Sequence, residues 1–92
     1  MHYLHFRLKL GSDKIIQVNL NVQANLRLMD DDNYALYREG EKYAFHGGLA
    51  TVSPANIKPP TGGEWHLCID LGGKEGEIKA SVNVIAEPPK KK

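Results

Sequence analysis

Apolar residues recur at every second position, in one run after another along this chain. Leu4, Phe6, Leu8 and Leu10 alternate with His5, Arg7 and Lys9. Ile16, Val18, Leu20 and Val22 alternate with Gln17, Asn19 and Asn21, and the same parity runs on through Ala24, Leu26 and Leu28. Successive side chains of a strand point to opposite faces, so this is the signature of half-buried strands. A single strand from Ile16 to Leu28 is too long for a small domain, so a break falls near Gln23-Ala24.

The pattern continues beyond one interruption. Asp30-Asp31-Asp32-Asn33 supplies N-cap residues and negative charge for a helix start, Tyr34, Leu36 and Tyr37 cover one side of it, and Gly40 stops it. Tyr43 and Phe45 alternate with Lys42, Ala44 and His46, which reads as a resumed strand, bent at Gly47-Gly48. Ser53-Pro54 opens a short strand holding Ala55 and Ile57, and the segment 59–63 turns. Trp65, Leu67, Ile69 and Leu71 form the next alternating set, and Ile78, Ala80, Val82 and Val84 the last, with Gly72 to Gly76 read as a hairpin between them. The fold class expected is all-β: a small antiparallel β-sandwich or barrel of about six to eight strands, with one short helical excursion near residues 31–39.

Length and charge narrow the function classes. Ninety-two residues make one domain, expected over residues 1–86, followed by a disordered basic tail at 87–92. Hydrophobic residues are 41% and charged residues 25%, which suits a folded globular chain rather than a disordered one. The tail ends in Lys90, Lys91 and Lys92; residues 1–86 carry 9 basic against 10 acidic side chains, so no nucleic-acid or membrane bias remains. No apolar run is long enough to span a bilayer, and the N-terminal residues do not read as a signal peptide. The single cysteine, Cys68, makes no internal disulfide, so a cytoplasmic location is expected.

The order of motifs resembles a known family. Asn25-Leu26-Arg27-Leu28-Met29-Asp30 is followed by Asn33 and Tyr37, then Tyr43, Gly47-Gly48 and Ser53-Pro54. Gly63-Glu64-Trp65-His66 leads to Asp70-Leu71-Gly72-Gly73 and Gly76. Over residues 2–86 this resembles the bacterial domain-of-unknown-function family numbered eighteen eighty-three. The resemblance implies an all-β domain without established activity. Similar domains are fused to Toll/interleukin-receptor-like domains in bacterial proteins, as a recognition module before an effector would be. It implies no catalytic residues.

Several residue sets invite chemistry. His46, His66, Cys68 and Asp70 would make a metal-dependent enzyme if their strands were neighbours, although no zinc-type spacing is present; surface histidines are the plainer reading. His66 and Cys68 lie roughly 6–7 Å apart along one strand face, too far for a direct hydrogen bond, and no oxyanion hole is evident. The aspartates from Asp30 fail the EF-hand pattern, because the sixth position is Ala35. The glycine pairs Gly47-Gly48, Gly62-Gly63 and Gly72-Gly73 fit turns rather than phosphate loops. Tyr3, Tyr34, Tyr37, Tyr43, Phe45 and Trp65, with Arg7, Arg27, Arg38 and Lys42, could bind single-stranded nucleic acid. Yet Tyr43, Phe45 and Trp65 sit at core parity, and acids dilute the bases.

The most informative polar set is Asn25, Arg27, Asn33, Tyr37 and Arg38, which His46 and Trp65 could border. An arginine fork, two amides and a phenol can read a carboxylate, a phosphate or a sugar. They can equally tie the helical excursion to the sheet, with Arg27 paired to Asp30 or Asp32. The expected function is therefore a non-enzymatic ligand- or protein-recognition module. It needs no cofactor or metal, it makes no membrane contact, and it can self-associate through a strand edge. The metal-dependent enzyme and single-stranded nucleic-acid binding are the alternatives.

Overall fold

The computed structural model describes residues 3–86. His2 and the basic tail at 87–92 lie outside the described residues. In chain order the elements are β1 (Tyr3–Leu10), β2 (Lys14–Leu20), β3 (Ala24–Met29), α1 (Asp31–Glu39), β4 (His46–Ala50), β5 (Ala55–Ile57), β6 (Gly63–Asp70) and β7 (Ala80–Ala86). They form two antiparallel sheets, one ordered β1-β6-β3-β4 and the other β5-β2-β7. The chain is thus an all-β sandwich with one short helix.

The period-two apolar residues meet between the sheets. Leu10, Ile16, Val18, Leu26, Leu28, Trp65, Leu67 and Ile69 are buried there. Trp65 satisfies its indole by donating Nε1–H to the Thr61 carbonyl at 3.0 Å. The long alternating run breaks at residues 21–23, where the chain leaves one sheet for the other.

Two expectations are corrected. Gly72 to Gly76 is not a hairpin, because β6 and β7 belong to different sheets. β6 is already paired on both sides, by β1 and by β3, so it has no edge left to offer. The chain crosses to the second sheet and pairs with β2 instead. Tyr43 and Phe45 are likewise not strand residues of the sandwich core; β4 begins only at His46. The Ala44 N–H goes to Asn33 Oδ1 at 2.8 Å rather than to a ladder. That bond draws residues 41–45 toward the helix, where Tyr43 meets Tyr37 edge-on at 4.9 Å.

Helix α1 lies on the outer face of the four-stranded sheet and makes a third layer. Its ends follow the local sequence. Asp30 Oδ1 accepts the Asn33 N–H at 2.8 Å, and Asp31 and Asp32 occupy the first turn. Gly40, at φ 79°, closes the helix, and the Glu41 N–H reaches back to the Leu36 carbonyl at 2.9 Å. Beneath the helix a second apolar cluster forms from Met29, Tyr37 and Cys68, with Tyr3, Tyr34 and Tyr43 against it.

β3 and β4 approach closely at Gly47, which has φ 124°. A Cβ placed there would lie 2.3 Å from the Leu26 carbonyl oxygen. No side chain fits, and the backbone conformation itself disfavours one. Gly47→Ala is expected to cost more than about 2 kcal/mol. Chemical denaturation of the variant beside the parent checks this.

Candidate functional site

The outer face of the four-stranded sheet can be read row by row from its register. Tyr3, Asp70, Asn25 and Leu49 form one row; His5, Cys68, Arg27 and Gly47 form the next; Arg7, His66 and Met29 form a third. Helix α1 covers part of this face. What it covers and what it leaves bare define the candidate site.

Asp70 is the hub of the covered part, and it is fully buried. Its Oδ2 accepts Arg27 Nε–H at 2.8 Å and the Tyr37 hydroxyl at 2.9 Å. Its Oδ1 accepts Asn25 Nδ2–H at 3.0 Å, the Gly72 N–H at 2.9 Å and, more distantly, Arg27 Nη2–H at 3.4 Å. A carboxylate offers about four lone-pair sites, so nothing remains for a ligand. Burial alone would push this carboxyl up. The bonds from Arg27, Asn25, Gly72 and Tyr37 outweigh it and bring the group down to about 2. In return, burial and the Asp70 carboxylate drive the Tyr37 phenol far above its ordinary value. The bond to Asp70 likewise raises Arg27.

Beside this hub runs a chain of rings. His66 is 2% exposed and bonds through Nε2 to Asp31 of the helix. Its Nδ1 lies 2.8 Å from His5 Nε2. Tyr34 stacks on both imidazoles, with centroids 4.4 Å from His66 and 4.2 Å from His5. Arg38 lies over the Tyr34 ring at 5.7 Å. Burial, then the neighbouring His66 and Arg7, lowers the pKa of His5.

The polar set expected from the sequence is partly brought together. Asn25, Arg27 and Tyr37 converge, with Asp70 at their centre; Arg27 pairs with Asp70, not with Asp30 or Asp32. Asn33 is bound up in the Asp30 cap and the Ala44 N–H. Arg38 sits on Tyr34 rather than beside Arg27. His46 is in register with Leu28 and meets Trp65 at 5.8 Å, so both lie on the sandwich side of the sheet. The set His46, His66, Cys68 and Asp70 is therefore split across two faces. His66 is not a surface histidine, because α1 covers it. Among the described residues no three His, Cys, Asp or Glu groups are placed to hold a metal ion. Cys68 is fully buried, and its thiol is pushed up to about 12 by burial and by Asp70. Such a thiol stays protonated at neutral pH. Most rings proposed for stacking bases already contact one another, as Tyr3 meets Tyr37 edge-on at 5.1 Å.

The residues missed by sequence reasoning are His5 and Asp31, together with Asp70 as a hydrogen-bond hub and Tyr34 as the ring stacked on two imidazoles. A signal was available. Met29 and Cys68 break the polar face of their strands, which marks that face as covered.

The bare part of the face lies along β4, an edge strand. Phe45, Leu49 and Val52 are 39%, 62% and 70% exposed, and Val22 stands exposed across a shallow pocket of about 190 Å3 that Val52 also lines. Gly47 leaves a gap between Phe45 and Leu49, and Arg27 borders it. The Arg27 guanidinium lies 5.0 Å from the Phe45 ring centre. The bonds of Arg27 to Asp70 run through Nε and Nη2. A second, larger pocket of about 560 Å3 opens where Tyr3, Leu4, Leu71 and Ile78 meet the glycine-rich crossover. Among the described residues no helix is long and apolar enough to cross a membrane.

Two predictions follow from the covered networks. Asp70→Asn strands Arg27 and is expected to cost about 3–5 kcal/mol. Because the folded carboxyl titrates at about 2 against an ordinary 3.8, its stabilisation is complete above pH 3.8 and is lost as pH falls toward 2. Urea titrations at several pH values should show that acid-dependent loss in the parent and not in the variant. For His5 the sign is the same for a different reason. Its folded pKa lies below 6.5, so the neutral form is favoured and its contribution is lost as pH falls below 6.5. His5→Phe should flatten the stability profile in that window.

Comparison with curated proteins and with solved structures finds no match for the chain. A family model does match, over residues 1–88, under the description "Domain of unknown function (DUF1883)". The match spans nearly the whole sequence, and the chain belongs to the DUF1883 family.

Proposed function

We propose that this domain is a non-enzymatic recognition module, and that the β4 edge takes an extended apolar segment of a protein partner. The observation that carries the reading is the uncharged edge strand β4, with Leu49 bare on it and Phe45 and Val52 exposed just before and after it. Natural edges are usually blunted by lysine, proline or a covering loop. An edge left apolar offers main-chain hydrogen bonds to an added strand, with side-chain pockets on alternate positions.

Arg27 suits this role through what Asp70 leaves of it. Its charge is matched by a buried carboxylate, its guanidinium lies over the Phe45 ring, and Nη1 is the nitrogen not given to Asp70. A neutralised arginine with one free edge fits a backbone carbonyl better than a phosphate. His46 borders this edge from the other face of β4. The lone buried thiol of Cys68 fits a reducing bacterial cytoplasm. A second reading, a small-molecule module, is favoured by the 560 Å3 pocket at the crossover, whose volume falls within the usual range for ligand sites.

Arg27→Ala is a poor probe, because it strips Asp70 of its main partner. Leu49→Glu is the better one, since Leu49 is 62% exposed. Peptides selected on the intact domain from a random display library should carry alternating apolar residues. Leu49→Glu should weaken them at least about tenfold, or about 1.4 kcal/mol, with an unchanged melting temperature. Bound peptide should slow amide exchange along residues 46–50. Selected peptides that bind Leu49→Glu as well as the parent would overturn the reading. Protection confined to the crossover around residues 71–78 would favour the small-molecule pocket.

A further inference from the structure

A different edge carries a second inference. β7 reads Ala80-Ser81-Val82-Asn83-Val84-Ile85-Ala86, and it is almost a palindrome about Asn83. It pairs with β2 on one side and forms the edge of its sheet on the other. It contains no charge, no proline and no glycine, so the strand itself carries none of the side-chain protections usual at an edge. Val84 lies opposite Ile16, a core residue, yet it is 45% exposed. The core is therefore left open along this margin.

We propose that two copies of the chain pair through β7, antiparallel and centred on Asn83, to make a two-fold symmetric dimer. A two-fold axis requires a self-complementary surface, in which residue i meets j and j meets i. About Asn83 the near-palindrome makes these pairs alike, except that Ser81 meets Ile85. Asn83 meets Asn83 of the second copy, Val82 meets Val84, and Ala80 meets Ala86. Val82 and Val84 lie on the core side, opposite Val18 and Ile16, so the four valines of the pair close the open margin of both cores. The joined sheet would run β5-β2-β7-β7-β2-β5.

The outer face agrees with the same register. Asn56, Gln17 and Asn83 lie side by side across one sheet. Centring the dimer on Asn83 extends this into one unbroken row of carboxamides across both copies. Amides directly opposite one another on neighbouring strands come within reach of a hydrogen bond, as in stacked Asn and Gln ladders. Any other register would set Val82 or Val84 against a residue of the opposite face or move Asn83 off its partner.

The test uses the full chain. Sedimentation or light scattering at rising concentration should show a monomer–dimer equilibrium. Asn83→Lys sets two ammonium groups against each other at the axis; it should remain folded by circular dichroism and shift the equilibrium to monomer by at least tenfold. The register is read by oxidation. Asn83→Cys should form a disulfide-linked dimer, because cysteines facing across the axis fall within the 4.4–6.8 Å Cα range that a disulfide spans. Ser81→Cys should not, because its counterpart is displaced about 13 Å along the strands. Cys68 is fully buried and contributes no background. A parent that stays monomeric at every concentration would overturn the proposal. Equal cross-linking at both positions, or a dimer untouched by Asn83→Lys, would overturn it as well.

Discussion

A buried carboxylate must be given hydrogen bonds from all sides or it will not stay buried. Asp70 is that carboxylate here, and its donors come from separate parts of the chain. β3 sends Asn25 and Arg27, α1 sends Tyr37, and the start of the crossover sends the Gly72 N–H. The penalty for an unpaired buried ion is several kcal/mol, comparable to the whole stability of a domain this size. Helix and crossover are therefore tied to the sheet by one requirement. The helix cannot slide without stranding Asp70. The neighbouring contact from His66 to Asp31 fixes its first turn in the same way.

That anchoring decides what the outer face has left to offer. With Asp70 saturated, the polar cluster joins the helix and the crossover to the sheet. On that face the exposed apolar side chains gather at and beside β4, and the exposed polar ones, His5, Arg7 and Lys9, along β1. β5 lies on the β4 side of the sandwich, since Ile57 approaches Gly47, whereas β7 lies across β2 from it. Partner binding at β4 and self-pairing at β7 would thus use opposite margins. A dimer would then carry two binding edges, and a partner with two segments would gain avidity without any new contact.

Much of this architecture was legible from alternation alone. The inward parity of Leu26, Leu28, Leu67 and Ile69, the break before Ala24, the Asp30 cap and the Gly40 stop all follow from local rules. What failed was non-local. Nothing near Gly72 says that β6 is already flanked on both sides, so a tight turn looked like a hairpin. Tyr43 and Phe45 alternate correctly for a strand, but a side-chain bond from Asn33 takes the backbone elsewhere. The polar cluster of Asn25, Arg27 and Tyr37 was visible as a set. Its centre was not, because Asp70 stands 33 residues beyond Tyr37 and joins only when two strands and a helix meet. His5 and His66 are 61 residues apart and were equally unreadable as a pair.

The topology also dictates an order of events. β1 is made before the other strands of this domain, and among the described residues its sheet neighbour is β6, whose pairing sets Tyr3 against Asp70. Most of the chain must exist before Leu4, Phe6 and Leu8 find cover in the four-stranded sheet. Pairings of such long sequence separation close slowly, because the entropy of the intervening loop must be lost first. During synthesis, at about 5–20 residues per second, the N-terminal strand waits for several seconds as an exposed apolar edge. A domain of this design relies on the cell to keep that edge unoccupied until its partner strand arrives.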